Sequence, residues 1–162
     1  MLAKRRITRG RKGEIRLRLP AEERELLGGL PAQLRALLQE APDDPALRRL
    51  FPPAYDEHPE NESEYRRLMG DELRERHLSA LGVLEETAGT EHLTEEQAHV
   101  WLAALNDLRL VLGTRLDVTE DPVDQEAGAD PEDPEDPEVA ALGLYHYLSW
   151  LQEQMVEALS SS

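Results

Sequence analysis

Apolar residues recur at helical spacing in several long stretches of this chain. The helices predicted from these stripes cover about residues 20–42, 63–88, 94–112 and 137–159. Pro31 falls inside the first stretch, and because the leucine phase continues beyond it we expect one kinked helix rather than two. Thr94 and Gln97 have the spacing of a capping box, which marks the start of the third helix.

The first nineteen residues follow a different period. Ile15, Leu17 and Leu19 alternate with charged residues, which predicts a half-buried β-strand with these side chains facing inward. Gly10 and Gly13 bracket a short connection to the preceding strand, as in a β-hairpin. An isolated hairpin is marginal in water and must pack on helices. The predicted fold is therefore mainly α, with an N-terminal β-hairpin packed on a bundle of about four main helices.

Composition adds an uneven distribution of charge. The 162 residues carry 18 Lys and Arg against 34 Asp and Glu, for a net charge of −16. The first eighteen residues hold eight basic residues and one acid, whereas residues 119–138 hold ten acids and no base. Within a single domain over 1–162 we predict a basic β-hairpin, a helical body, an acidic disordered insert and a C-terminal helix, at 1–19, 20–117, 118–136 and 137–160.

The same composition limits location and chemistry. No apolar run approaches the ~20 residues of a membrane span, and no apolar stretch follows the basic start, so we expect a cytoplasmic protein without membrane association. The chain has no cysteine, which excludes thiol catalysis, zinc–thiolate sites and thiol redox sensing. Glu96 and His99 form one Glu-x-x-His pair, but di-metal bundles need two. We predict no metal, cofactor or catalytic residue.

Polar residues interrupt the most apolar helix and its end. They are Asn106, Asp107, Arg109, Thr114 and Arg115. Because polar groups on a buried helix need partners, we predict an internal network in which the arginines meet acids such as Asp71 or Glu72. A small polar pocket or partner site is the alternative, and an enzyme built around Arg109 is a further one, although no nucleophile or acid–base pair is defined. His77 lies on an apolar stripe and is predicted to be a hydrogen-bonded core or edge histidine.

Two surfaces are candidates for partner binding. Tyr145 and Trp150 on the wide apolar arc of the last helix, with Phe51 and Tyr55 of a proline-containing loop, indicate a protein partner or a homodimer. The hairpin offers phosphate contacts through a set of basic side chains, namely Arg5, Arg6, Arg9, Arg11 and Lys12. The acidic body and the lack of aromatic residues among these bases disfavour nucleic acid. We therefore predict a non-enzymatic protein that acts by protein–protein contact, with a nucleic-acid-binding regulator as the alternative.

Two strings of the sequence add a family resemblance. Residues 49–55 read RLFPPAY and residues 101–116 read WLAALNDLRLVLGTRL. Together they resemble an actinobacterial family of AosR-like oxidative-stress transcriptional regulators, long known as a domain of unknown function and often encoded beside the ClpS protease adaptor. The resemblance covers most of the chain and implies a cytoplasmic regulatory or adaptor protein rather than an enzyme. Oxidant sensors commonly work through cysteine, which this chain lacks.

Overall fold

The computed structural model describes residues 5–51, 59–116 and 137–161. The elements in chain order are β1 Ile7–Arg9, β2 Ile15–Leu17, α1 Ala21–Glu40, a 3-10 turn Pro45–Leu47, α2 Pro59–Thr87, β3 His92–Leu93, α3 Glu95–Arg115 and α4 Pro137–Ser160. The predicted fold class is confirmed. The predicted acidic insert and Tyr55 lie outside the described residues. Within the described ranges, no helix has the length and apolarity that crossing a membrane requires.

The N-terminal strands form the predicted hairpin and gain a third partner. Ile7 pairs with Leu17 across β1 and β2. Gly13 lies in the turn with φ +86°, a conformation that glycine adopts without steric cost. The unpredicted strand β3 pairs with β2 so that Ile15 faces Leu93. Ile15, Leu17 and Leu19 are buried, which confirms the predicted inward face.

Helix α1 runs without a break through its proline. Pro31 lies inside the helix and is itself buried, so its ring fills core space where its missing N–H leaves one helical bond unmade. Leu27, Leu30, Leu34 and Leu38 are buried on the same side. The prediction of one helix rather than two is confirmed.

Helix α3 is the centre of the core. Its capping box is present: the Thr94 hydroxyl oxygen accepts from the Gln97 N–H at 3.0 Å, and the Gln97 side chain accepts from the Thr94 N–H at 2.9 Å. Trp101 is fully buried and its indole N–H donates to the Thr87 hydroxyl at 2.7 Å. The helix continues to Arg115, about one turn beyond the predicted end. Helices α2 and α4, the 3-10 turn and β3 all pack on it.

Helix α4 covers α3 on one side and the hairpin on another. Leu148, Leu151 and Met155 are buried in these contacts. Among the described large hydrophobic residues, Val156 of α4 and Leu26 of α1 are the exposed ones, at 47 % and 40 %. The wide apolar arc of the last helix is therefore explained mostly by packing within the chain.

Candidate functional site

Residues from both sequence strings, 49–55 and 101–116, contact His77 of α2. The His77 Nδ1 atom lies 2.7 Å from a carboxylate oxygen of Asp107 in α3, and its Nε2 atom lies 3.1 Å from the carbonyl oxygen of Leu50. The Phe51 ring stands edge-on to the imidazole, with ring centres 5.5 Å apart. One histidine thus joins α2, α3 and the segment that follows the 3-10 turn.

Opposing effects act on the proton of His77. Burial lowers the pKa of His77, but the hydrogen bond and charge of Asp107, together with the Leu50 carbonyl, outweigh burial and raise the pKa above its ordinary 6.5. Both neighbouring oxygens are acceptors, so the doubly protonated imidazole satisfies both. The prediction of a hydrogen-bonded histidine is confirmed. In this arrangement both ring nitrogens are engaged by groups of the chain itself.

The predicted partners of the α3 arginines are wrong. Asp71 pairs with Arg74 at 3.2 Å, one turn along the same helix, and Glu72 pairs in the same way with Arg76 at 3.4 Å. These pairs sit at the spacing at which side chains of one helix meet without crossing to another element. The acids of α2 are therefore used locally.

The polar residues of α3 do not form a single network. Asp107 bonds to His77, whereas Arg109 donates to Asn106 at 3.1 Å and Thr114 donates to a carbonyl of its own helix at 2.8 Å. The Nε atom of Arg109 is buried without a hydrogen-bond partner among the described residues. Arg115 is exposed at the end of α3. No arrangement of these described groups defines a nucleophile with its base.

A second polar cluster, which we call the Glu23 cluster, attaches the hairpin to α1 and α4. It comprises Arg6, Glu23, Tyr147, Trp150 and Gln154. The Arg6 guanidinium donates to both oxygens of Glu23 at 3.0 Å, and the Tyr147 hydroxyl donates to Glu23 at 2.6 Å. Arg6 also lies over the Trp150 ring at 5.4 Å from its centre. The Gln154 side-chain oxygen accepts from the backbone N–H groups of Arg6 and Ile7, at 2.6 and 3.1 Å.

The Glu23 cluster keeps its charges near neutral pH. Burial raises the pKa of Glu23, but the hydrogen bonds from Arg6 and Tyr147 outweigh burial, so the pKa is lowered. The hydrogen bond from Arg6 to Glu23 raises the pKa of Arg6. Burial and the adjacent Glu23 carboxylate raise the pKa of the Tyr147 hydroxyl. The cluster is therefore a set of charged contacts that holds the hairpin against α1 and α4.

Most of the candidate phosphate-binding residues have internal partners. Arg5 pairs with Glu157, Arg6 belongs to the Glu23 cluster, and Arg9 donates to the carbonyls of Ala158 and Leu159 at 2.9 and 3.2 Å. Arg9 therefore caps the end of α4, where carbonyl groups lack helical partners. Arg11 and Lys12 are exposed in the hairpin turn.

Arg24 is a structural residue that the sequence did not reveal. Its guanidinium donates to the carbonyls of Leu17 and Leu19 at the end of β2, and to those of Ala88 and Thr90 after α2, at 2.5 to 3.2 Å. An arginine in the first turns of an amphipathic helix is ordinary, and nothing in the local sequence indicates which distant carbonyls surround it.

The aromatic residues that were candidates for partner binding contact other residues of the same chain. Phe51 lies against His77, and Trp150 lies under Arg6. Tyr145 lies so close to Gly113 that a Cβ there would meet its ring at 3.0 Å. The sequence did not predict an apolar groove of about 100 Å³ where α1, α3 and α4 meet. It is lined by Leu30, Gln33, Leu34, Leu37, Leu108, Val111, Leu112, Arg115, Leu144 and Leu148.

Comparison with known proteins adds a family. The model of the family described as "Domain of unknown function (DUF2017)" matches residues 4–159. The "Putative oxidative stress regulator AosR" of Mycobacterium leprae is 31 % identical over 160 aligned positions, covering 88 % of this chain and 69 % of that protein. The "Oxidative stress regulator AosR" of Mycobacterium bovis and that of Mycobacterium tuberculosis are each 29 % identical with the same coverage. No solved structure matches the chain.

Proposed function

Because the chain belongs to the DUF2017 family, we propose that it is a regulatory protein that acts by binding another protein rather than by catalysing a reaction. The relatives named oxidative stress regulators support the regulatory role. The groove where α1, α3 and α4 meet is the observation that supports protein binding. The resemblance seen in the two sequence strings is confirmed by the family match.

The groove is small, at about 100 Å³, so it receives an apolar side chain or two projecting from a partner helix or extended segment. Leu37, Leu112 and Leu144 line it and are only partly buried by the chain itself. Covering the part of these side chains that is still exposed contributes about 25 cal/mol for each Å² of apolar surface removed from water, before the costs of association. Helical ligands typically bind grooves of this kind through side chains three and four positions apart.

Arg115 suggests the polarity of the partner. It lines the groove, is exposed, and pairs with no acid in the part of the chain that the structure describes. A partner segment that carries a carboxylate beside its apolar anchors complements this cation. The proposed ligand is therefore an amphipathic protein segment with an acidic residue at one end.

The proposed regulator works without a thiol of its own. The chain has no cysteine, so a response to oxidants does not pass through a disulfide within it. Under this proposal, the oxidant-sensitive step lies in the partner or in another chemical input.

The groove is tested with a charged substitution and a matched control. Leu37→Glu places a carboxylate in the groove, whereas Leu26→Glu makes the same change at an exposed leucine of the same helix outside it. In a host strain that lacks the gene, we expect Leu26→Glu to restore the transcriptional response to peroxide and Leu37→Glu to fail. Circular dichroism must show that both variants are folded. Full restoration by a folded Leu37→Glu variant contradicts the proposal.

A nucleic-acid-binding regulator is the second candidate, and the outer face of the sheet supports it. Thr8, Arg16 and His92 lie in register across the three strands, and Arg18 is exposed beside them. Arg11 and Lys12 of the hairpin turn are exposed as well, whereas Arg16 pairs with Glu14. Arg6 and Arg9 hold the hairpin against the helices, whereas the exposed Arg11, Lys12 and Arg18 are not used in this way.

Salt-dependent binding tests this second candidate. The triple variant Arg11→Ala, Lys12→Ala, Arg18→Ala is compared with Arg76→Ala on α2, which removes an exposed arginine elsewhere. We expect fluorescence anisotropy with labelled duplex DNA to show binding that weakens steeply with salt and is lost in the triple variant. Absence of binding at low salt, or equal binding by both variants, contradicts this candidate.

A further inference from the structure

We infer that His77, Asp107 and Leu50 form a proton-dependent latch, in which the protonated imidazole holds the segment after the 3-10 turn against α2 and α3. Loss of one proton removes the hydrogen bond to Leu50 and loosens the end of that segment, Leu50 and Phe51. The inference stands on the geometry at His77 and is independent of the groove. Such a latch makes a regulatory protein without cysteine responsive to pH rather than to thiol oxidation.

The two contacts of the His77 ring together need two N–H donors. The carboxylate of Asp107 lies 2.7 Å from one ring nitrogen, and the carbonyl of Leu50 lies 3.1 Å from the other. Neither oxygen carries a hydrogen, so each contact needs an N–H from the ring. A neutral imidazole has only one, which leaves two lone pairs facing each other at the second contact.

The charge of Asp107 determines which contact is lost. A negative carboxylate holds the remaining proton on Nδ1 more strongly than a neutral carbonyl holds a proton on Nε2. Deprotonation therefore removes the donor to Leu50 and leaves the link to Asp107 in place. The released part is the chain segment, and the α2–α3 contact persists.

Few charged groups of the described residues act on the ring. Asp107 faces it from α3, and the segment contributes the Leu50 carbonyl and the uncharged Phe51 ring. Arg76, on the same helix, opposes protonation, but it is largely exposed and pairs with Glu72. Burial also opposes protonation, and Asp107 with the Leu50 carbonyl outweighs both, so the pKa of His77 is raised. The latch is closed below the ordinary histidine range and opens as pH rises through this raised pKa.

Opening the latch has a local effect. Leu50 and Leu47 are buried, and the Leu50 N–H donates to the Leu47 carbonyl at 2.9 Å, a bond that does not involve His77. The 3-10 turn also packs on α3 independently of the ring. We therefore expect Leu50 and Phe51 to loosen while the rest of the core stays folded.

Nuclear magnetic resonance of the whole chain tests the latch directly. Nitrogen-15 shifts of the His77 ring, followed from about pH 5 to pH 9, should show Nε2 losing its proton with a midpoint above that of a free histidine. Over the same range the amide of Leu50, which donates to the Leu47 carbonyl, should lose about tenfold in protection after correction for intrinsic exchange, the factor for one hydrogen bond of ~1.4 kcal/mol. A neutral ring at pH 6, or unchanged protection across the titration, overturns the inference.

Two variants give an independent check. Asp107→Asn removes the charge that retains the proton, so the His77 midpoint should fall and the Leu50 amide should lose protection at lower pH. His99→Gln changes an exposed histidine and should leave both measurements unchanged. If Asp107→Asn does not fold, His77→Gln serves instead: exchange at the Leu50 amide should lose its pH step. A step that remains in folded His77→Gln contradicts the latch.

Discussion

The Glu23 cluster and the His77 contact both join three parts of the chain, but a proton affects them differently. In the Glu23 cluster the pKa of the carboxyl is lowered and those of Arg6 and Tyr147 are raised, so every charge state is fixed near neutrality. At His77 the pKa is raised from a value already close to neutrality. The hairpin is therefore attached permanently, whereas the segment around Leu50 is attached conditionally.

The largest expected effect comes from breaking the permanent attachment. Glu23→Ala leaves Arg6 and the Tyr147 hydroxyl without their shared acceptor and should lower the free energy of unfolding by about 2–3 kcal/mol. Glu22→Ala removes an exposed carboxylate from the same first turn of α1, so it controls for the interaction with the helix dipole. Urea unfolding at neutral pH measures both. Equal losses in the two variants would show that the cluster adds nothing.

A smaller and pH-dependent loss should follow from breaking the conditional attachment. At about pH 6, Asp107→Asn should cost about 1–2 kcal/mol of unfolding free energy, because a charged hydrogen bond to His77 is lost. The pKa of His77 is raised in the folded state, so its stabilisation is fully present below the ordinary 6.5 and is lost as pH rises through the raised value. Urea unfolding near pH 9 should therefore show a reduced cost. A pH-independent cost would remove the contrast with Glu23.

The Glu23 cluster should lose stability as pH falls into the acid range, whereas the His77 contact loses stability as pH rises. The pKa of Glu23 is lowered, so its contribution is present above the ordinary 4.5 and is lost as pH falls through the lowered value. The stability difference between the wild type and Glu23→Gln should shrink by about 1 kcal/mol over this fall, the contribution of one hydrogen bond. Thermal unfolding at several pH values measures it. A constant difference down to about pH 3 would show that folding does not lower the pKa of Glu23.

The smallest effect should come from the exposed part of the same attachment. Arg5 and Glu157 form an ion pair in which both side chains are about half exposed. Arg5→Ala should change the free energy of unfolding by at most about 0.5 kcal/mol, because water screens such pairs. Urea unfolding of Arg5→Ala beside Glu23→Ala checks this. A loss as large as that of Glu23→Ala would place the attachment of the hairpin in its outer arginine instead.

Local patterns predicted the helices and the hairpin because each has a repeating or capping signal. The leucine spacing predicted that α1 continues past Pro31, and Thr94 with Gln97 marked the start of α3. The strand β3 has only two residues, too few for a period to show, and it exists because it pairs with β2. Short elements of this kind are determined by tertiary contact rather than by their own sequence.

The polar site was predicted less well because partner choice is a three-dimensional property. The sequence identified Asp107 and His77 separately as polar residues on apolar faces but did not pair them. Asp71 and Glu72 found arginines one turn away on their own helix, a competing arrangement that the spacing alone could have indicated. Arg24 could not have been identified, since its acceptors come from backbone carbonyls up to 66 positions away.

The side chain of Gln154 also affects how the protein behaves at high concentration. Its oxygen accepts from the N–H groups of Arg6 and Ile7 at the start of β1, an outer strand of the sheet order β1-β2-β3. Unpaired edge strands recruit strands from other molecules and seed aggregation. With α4 shielding one edge and the other edge only two residues long, the sheet offers a poor template for intermolecular pairing.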